Sequence, residues 1–489
     1  MNTSRFSRRR AALKPLLIAL GAAALTACAV GPDYRAPPLP AAQAVADIGL
    51  DPAFYSAEAP PAQFWASFGD AGLEALEARA LTANHDLRIA LANLNQARAL
   101  RREAFLDYLP TVTAGAGYTV AQQSADQAPG YSRDDRHSEL YDAGFDASWE
   151  LDLFGRVRRL NEASRANEEA LAADLRAAQL SVAAEVARTY FELRGAQARL
   201  AVAERNADNQ LGTLNYTEAR LAYGRGTEFD RERARAQLAA TRARVPDLRT
   251  AVANAEHRLA MLAGLVPSAL RDELDAPQAL PPLPRLVRIG EPEALLRRRP
   301  DVASAERQLA AATAGIGVAV ADYFPRVSFT GEAGFSVAHL GSVGDGGSDR
   351  YAFGPSISWA AFDLGRVQAR VAQRRAGADA ALARYEQSVL RALEETANTL
   401  VGYGQNRRKL DLLDEGAQAS ARAVQLARVR FEAGAADFID VLDAERSLLD
   451  AEDQRAQART QTATSLVALY KSLGGGWQGA APQTLSRKD

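Results

Sequence analysis

Two stretches decide the fold: DYLPTVTAGAGYT, Asp107–Thr119, and DYFPRVSFTGEAGFS, Asp322–Ser336. Each closes a long Ala-rich run of helical pattern, breaks at Asp-Tyr-x-Pro and continues in alternating residues. Proline has no N–H to continue a helix and drives the residue before it to extended backbone. Pro110 and Pro325 are therefore expected to turn the chain from helix into strand, with Gly155 and Gly365 at the turns from strand back into helix.

The strands follow from the alternation. Residues 109–120 alternate loosely, and YDAGFDASWELDL (Tyr141–Leu153) puts Phe145, Ala147, Trp149, Leu151 and Leu153 on one face. In the second half Val327–Val337 is followed by Tyr351–Phe362, with Phe353, Pro355, Ile357, Trp359 and Ala361 on one face. Polar Gly/Ser/Asp-rich loops join each pair, which predicts hairpins at about 107–153 and 323–362. The strands exceed ordinary globular length and match a tilted, bilayer-spanning strand. No segment after the N-terminus holds about 20 consecutive apolar residues, the length a membrane helix needs. Only a closed β-barrel could then span a membrane. Four strands cannot close one, since a barrel needs at least about eight, so the chain is expected to oligomerise.

The two halves go on matching beyond the strands. Tyr141 pairs with Tyr351, Gly144 with Gly354, Trp149 with Trp359, and Gly155-Arg156-Val157 with Gly365-Arg366-Val367. Both GRV runs open very long helical patterns, about 155–224 and 365–432. A helix of some 65 residues is roughly 100 Å long, the scale of a rod or tube wall. Leu410, Leu413, Ala417, Ser420, Val424, Ala427 and Phe431 form a 3,4-spaced seam. The helices end at YGRGTEFD and FEAGAADFID, with Gly226 and Gly434 as stops. Shorter return helices are expected over 228–263 and 438–473. A Pro-rich linker at 264–290 breaks the ascending side and predicts a mid-height belt, after which helix resumes over about 293–321. An internal duplication is expected, one repeat over 65–290 and another over 291–475, with a tail at 476–489.

Residues 1–27 have a basic start, an apolar stretch and small residues before a cleavage point, as in an export signal. Leu25-Thr26-Ala27-Cys28 reads as a lipobox, whose cysteine takes a covalent lipid; the plainer reading is an ordinary signal with an incidental cysteine. Residues 28–64, Pro-rich at first, read as an extended arm over the body. Removing the five basic residues of the first 27 leaves 53 basic against 60 acidic, a charge of −7. Nucleic-acid binding needs the opposite sign. The single cysteine excludes an internal disulfide and a cysteine metal cluster. His85, His137, His257 and His339 are scattered without ligand spacing, and no phosphate loop or nucleophile elbow occurs, so neither catalysis nor a bound metal is expected.

Six stretches in order carry a resemblance: C-x-x-x-PDY-x-x-P (Cys28–Pro37), FW-x-x-FGD (Phe64–Asp70), the DYLP/DYFP pair, W-x-LDLFGRVRR (Trp149–Arg159), LLRRRPDVASAE (Leu295–Glu306) and IDVLDAERSLLDAE (Ile439–Glu452). The chain resembles the TolC family of outer-membrane factors, in its lipoprotein branch typified by OprM- and NodT-like proteins. The resemblance implies an α+β membrane protein. Three copies give a 12-stranded β-barrel, four strands from each, continued by a periplasmic α-helical barrel with a mixed equatorial belt. It implies a passive exit duct in the outer membrane, held by lipid on Cys28 and extending into the periplasm. Its partners would be a periplasmic adaptor and an inner-membrane RND-type transporter, and its cargo drugs or other toxic small molecules. Metal-cation export and type I protein secretion are the alternatives within the family. A non-conducting structural lipoprotein leaves the hairpins unexplained.

Matching IDVLDA to the family motif places Asp440 and Asp443 at the periplasmic constriction, where three copies would set six carboxylates around a pore. Such a ring attracts cations, and crowding raises carboxylate pKa values. The other reading is that acids in a first helical turn favour the helix dipole, with Asp437 as N-cap and Asp440 as its box-like partner. Gly226, Glu228, Asp230, Gly434 and Asp437 mark the tip turns as adaptor contacts, against plain solvated charge. The tip-turn arginine that locks some relatives is replaced by Ala435 and Ala436, leaving Arg430, Arg225 or Arg231 for any lock. Trp149, Tyr141, Trp359 and Tyr351 read either as barrel girdles or as belt core. Arg297–Arg299 reads as a solvated helix start.

Overall fold

The computed structural model describes residues 29–38, 52–61, 63–290 and 292–475. The expected export signal, Cys28, part of the expected arm and the C-terminal tail lie outside the described residues. In order the elements are β1 (Tyr55–Ser56), a 3-10 turn (Phe64–Phe68), α1 (Ala71–Ala83), α2 (His85–Leu106), β2 (Thr111–Gln122), β3 (His137–Leu151) and α3 (Arg156–Ala222). Then come α4 (Glu228–Arg242), α5 (Arg244–Leu262), α6 (Arg271–Leu274), β4 (Val287–Arg288), α7 (Pro292–Arg298) and α8 (Pro300–Ala321). The chain closes with β5 (Arg326–Val337), β6 (Asp349–Ser358), α9 (Leu364–Glu432) and α10 (Phe438–Ser472). It divides into two compact units, one of residues 1–37, 93–171 and 304–385, the other of 38–92, 172–303 and 386–489.

The first unit holds one antiparallel sheet in the order β2-β3-β5-β6, so the two hairpins lie side by side. Pro110 and Pro325 act as their chemistry requires. The helix before each ends in tight turns (Leu109 N to Leu106 O, 2.9 Å; Phe324 N to Ala321 O, 3.1 Å), and a strand starts at the residue after the proline. The Asp-Tyr-x-Pro motif also supplies an acceptor. The Trp149 indole N–H donates to the Tyr108 carbonyl, and the Trp359 indole to the Tyr323 carbonyl, each at 3.0 Å.

The expected Gly155/Gly365 equivalence does not hold. Gly155 has φ 82°, while Gly365 is the second residue of α9 and has open space around it. In the first turn Asp152 caps α3, accepting from Val157 N and Arg158 N at 2.9 Å. In the second the aspartate, Asp363, stands one place nearer the glycine and begins the helical bonding itself, accepting from Arg366 N at 3.1 Å. Gly365 is thereby drawn into the helix.

The second unit is built on a core of Phe64, Trp65, Phe68, Leu73, Tyr190 and Phe191 with their neighbours. The FGD run explains itself here: Phe68 is buried, Gly69 takes φ 60°, and Asp70 caps α1 by accepting from Leu73 N at 2.9 Å. The arm adds β1, which pairs in parallel with β4 of the Pro-rich linker. Burial pushes the Tyr403 phenol of this core up to about 12.

Two expectations need correction. The first return helix is interrupted at Ala243, three residues before Pro246, whose missing N–H leaves the Arg242 carbonyl without its helical partner. The RRRP stretch is not a solvated helix start. Arg299 is 7% exposed and bridges Asp301 and Glu395, each at 2.7 Å, while also donating to the Ser472 carbonyl at the end of α10. Burial alone would lower its guanidinium, and the two carboxylates outweigh that and raise it.

Candidate functional site

Strand register sorts the sheet into two chemically opposite faces, because successive side chains point to opposite sides. One level of the first face reads Thr113, Asp146, Glu332, Ala352 across the four strands, and the next reads Thr111, Ser148, Thr330, Gly354. These small and polar residues line a groove on that face. The opposite face carries Val112, Phe145, Trp149, Phe329, Phe353 and Ile357, between 38% and 72% exposed. Of the residues in these four strands only Val337 is buried. Tyr351 and Trp359 are 71% and 52% exposed and Trp149 is 38% exposed, so none of them belongs to a belt core. β2 and β6 each have one neighbour, which leaves two strand edges open among the described residues. No described helix is long and apolar enough to cross a membrane.

The helical turns lie in the second unit. The first pivots on Gly224 at φ 71° and the second on Gly434 at φ 72°. Gly434 is the stop expected, whereas Gly226 is not: it sits two residues past the left-handed position, where the second turn has Ala436. The turns share one bonding scheme. Arg225 N donates to Arg220 O (2.9 Å) and Ala435 N to Arg430 O (2.8 Å), while the Arg220 and Arg430 side chains reach the Arg225 and Ala435 carbonyls at 3.1 and 3.3 Å. Arg220 also lies over the Phe431 ring, 4.8 Å from its centre, and Phe431 meets Phe438 at 5.4 Å, so the two turns pack together.

The caps differ. Thr227 caps α4, accepting from Asp230 N at 3.1 Å, and its hydroxyl donates to the Asp230 carboxylate at 2.7 Å, a side-chain pair in place of the reciprocal bond of a capping box. Asp437 occupies the N-cap of α10, but its side chain makes no capping bond; only its carbonyl accepts from Asp440 N, at 3.1 Å. The expected Asp437–Asp440 box is therefore absent, which weakens the capping account of Asp440. Glu228 is held by Arg231 at 2.5 Å. Arg430 and Arg231 are both engaged within their own turns, and Arg225 makes no side-chain bond among the described residues.

Along α10 the acids separate sharply. Glu445, Asp450, Glu452 and Asp453 meet Arg428, Arg244, Arg205 and Arg199 at 2.7–3.2 Å. Asp440 and Asp443 are exposed and carry no ion pair among the described residues, while Val441, Leu442, Glu445 and Leu449 form the buried face of the helix. Ile439, expected on the apolar face, is 39% exposed. Sequence reasoning missed Arg159, Glu77 and Arg299. The double arginine after LDLFGRV was a visible signal, but only tertiary burial singles out Arg159, and only burial singles out Glu77 on α1.

Comparison with known proteins fits this geometry. The family described as outer membrane efflux protein matches residues 76–265 and 292–475. The chain is 32% identical to the solvent efflux pump outer membrane protein SrpC of Pseudomonas putida, over 93% of this chain and 96% of that one. It is 30% identical to the cation efflux system protein CusC of Escherichia coli O6:H1, over 95% and 99%. Its structure superposes on that of the outer-membrane channel OprN with a TM-score of 0.84, at 45% identity, covering 92% of this chain and all of that one. The chain belongs to the outer membrane efflux protein family of channels that sit in the outer membrane and extend into the periplasm.

Proposed function

We propose that three copies assemble into a 12-stranded barrel and a helical barrel, forming the passive exit duct of a tripartite pump. The observation that carries this is the sheet. Its apolar face is exposed, its polar face is hollowed, and both its edges are unpaired among the described residues. In lipid, an open sheet edge leaves N–H and C=O groups unsatisfied at a cost of several kcal/mol each, so the edges must meet other strands. The paired Trp-to-Tyr-carbonyl bonds and the shared bonding of the two helical turns support descent of the halves from one duplicated unit.

Cys28 carries the lipid anchor on this reading, and a periplasmic adaptor with an RND-type transporter supplies the energy. The tip turns around Gly226, Glu228, Asp230, Gly434 and Asp437 take the adaptor. Asp440 and Asp443 ring the periplasmic constriction, supported by their lack of arginine partners on a helix whose other acids have them. The cargo is amphiphilic small molecules such as drugs and solvents, in line with the solvent-pump relative. Cation export is the second reading, favoured by the two unpaired aspartates and the cation-efflux relative. Deleting the gene, restoring it, and measuring growth inhibition by antibiotics, dyes, solvents, copper, zinc and cobalt separates the two. Hypersensitivity to amphiphiles that the gene reverses is the expected result. Sensitivity to metals alone would replace it with the second reading.

A further inference from the structure

Arg159 is a buried guanidinium, 4% exposed, in the first turns of α3, and most of its bonds go to one short stretch of chain. It donates to the Val30 carbonyl at 3.2 Å, to the Ala29 and Gly31 carbonyls at 3.5 Å and to the Asp33 carboxylate at 2.6 Å, with Glu162 as its remaining partner at 2.7 Å. The same stretch is held from its other side: Val30 N donates to the Phe154 carbonyl at 3.1 Å. Tyr34 continues the contact, donating to Glu306 at 2.8 Å beneath the Arg307 guanidinium.

The fit leaves no room for side chains. Gly31 has φ 94°, and a Cβ there would lie 2.5 Å from the Gly317 Cα; Gly155 has φ 82°, and a Cβ there would lie 2.6 Å from the Ala29 Cα. The site occurs once. The matching positions of the second half are Gly365 and Ala369; a Cβ added at Gly365 would meet nothing within 4 Å, and alanine stands where Arg159 would. A feature of helix initiation would have served both halves, so Arg159 and the left-handed Gly155 serve the segment they hold.

We propose that the turn after β3 and the start of α3 form a receptor for the mature N-terminus, in which Arg159 is the positioning residue that fixes residues 29–33 beside the tryptophan-bearing end of the sheet. Phe154 and Trp149 are five residues apart, so a group carried by residue 28 is tethered close to that end of the sheet. The consequence for the membrane rests on the reading that Cys28 is acylated; the docking does not. With the acyl chains tied there, lipid attachment and strand insertion are brought to a common level, and the anchor helps seat the sheet.

The test uses the full chain in detergent. In a Cys28→Ser background no other thiol remains, so a spin label at Arg35→Cys reports the segment alone. Its spectrum should be immobilised, become mobile with Arg159→Ala or Asp33→Asn, and be largely restored with Arg159→Lys, while β-sheet circular dichroism stays unchanged. A label equally mobile in all of them overturns the receptor. Should Arg159→Ala fail to fold, Asp33→Asn, which leaves the helix start intact, decides alone. In the acylatable chain, Arg159→Ala should lower the heat-resistant oligomer recovered from outer membranes several-fold, and in the Cys28→Ser chain it should add nothing to the loss. An equal effect in both backgrounds would overturn the coupling to the anchor, and no effect of Cys28→Ser itself would sink the lipidation reading while the label still reports on docking.

Discussion

Glu77, on α1, has no exposed surface, and neither of its carboxylate oxygens is bonded. Burial pushes its carboxyl well above the ordinary range. The folded chain therefore keeps a proton that the unfolded chain loses near pH ~4.3. Its contribution to stability is fully present below that unfolded value and is lost as pH rises toward and through the folded one. Glu77→Gln should consequently gain on the wild type in thermal unfolding as pH rises above about 5; a gap that stays constant would show that folding does not raise the Glu77 carboxyl. Asp440 and Asp443 argue in the opposite environment, exposed and unpaired. Replacing both by alanine should raise single-channel conductance in planar bilayers and weaken cation preference. Unchanged values would take both residues out of the gate. The shared helical face of the aspartates was legible from their spacing, whereas the burial of Glu77 was not, because nothing in the run AGLEALEARA tells a buried acid from an exposed one.

Among the elements, the strands were read from alternation and the helices from their length, and both calculations erred where tertiary bonds decide the ends. β3 starts at His137 rather than Tyr141, because its pairing with β2 runs on through polar residues up to Gln122. β6 stops at Ser358, and the next residue, Trp359, turns its indole to the Tyr323 carbonyl. The left-handed glycine at 224 could have been chosen over 226 only by matching the two turns position by position. Between the hairpins, Gly144 and Gly334 face each other in register so closely that a Cβ on Gly334 would lie 2.6 Å from the Gly144 Cα and closer still to the Ala143 carbonyl. Gly334→Ala should cost about 1–3 kcal/mol of sheet stability through overpacking. Gly354→Ala, with nothing within 4 Å, is the matched control. Urea unfolding followed by β-sheet circular dichroism should separate the two variants, and equal midpoints would show that β3 and β5 can move apart freely.

At the scale of the whole molecule, the family and the outer-membrane location follow from matches across both halves of the chain, and as one of a family of channels the protein is not an enzyme. That the chain oligomerises follows from arithmetic on four strands, while the number three is what the family resemblance implies; the edges of β2 and β6, open among the described residues, are what the closure argument requires. The purified chain should run as a detergent-resistant trimer that falls to monomer on boiling. A monomer that conducts would refute the closure argument.

The aromatic rows have a further consequence. Tyr141 and Trp149 are eight residues apart, as are Tyr351 and Trp359. Eight residues of extended chain cover ~26 Å, which in the proposed barrel, tilted near 40° and with these aromatics as its girdles, would leave an apolar height of roughly 20 Å. A bilayer thicker than that must thin around the protein or leave chain tails against polar groups, at fractions of a kcal/mol per Å. The bacterial outer membrane is thinner than average. In the proposed barrel, aromatic spacing in the two halves would thus give the chain a preference for the membrane in which a channel of this kind is useful, before any receptor reads its address.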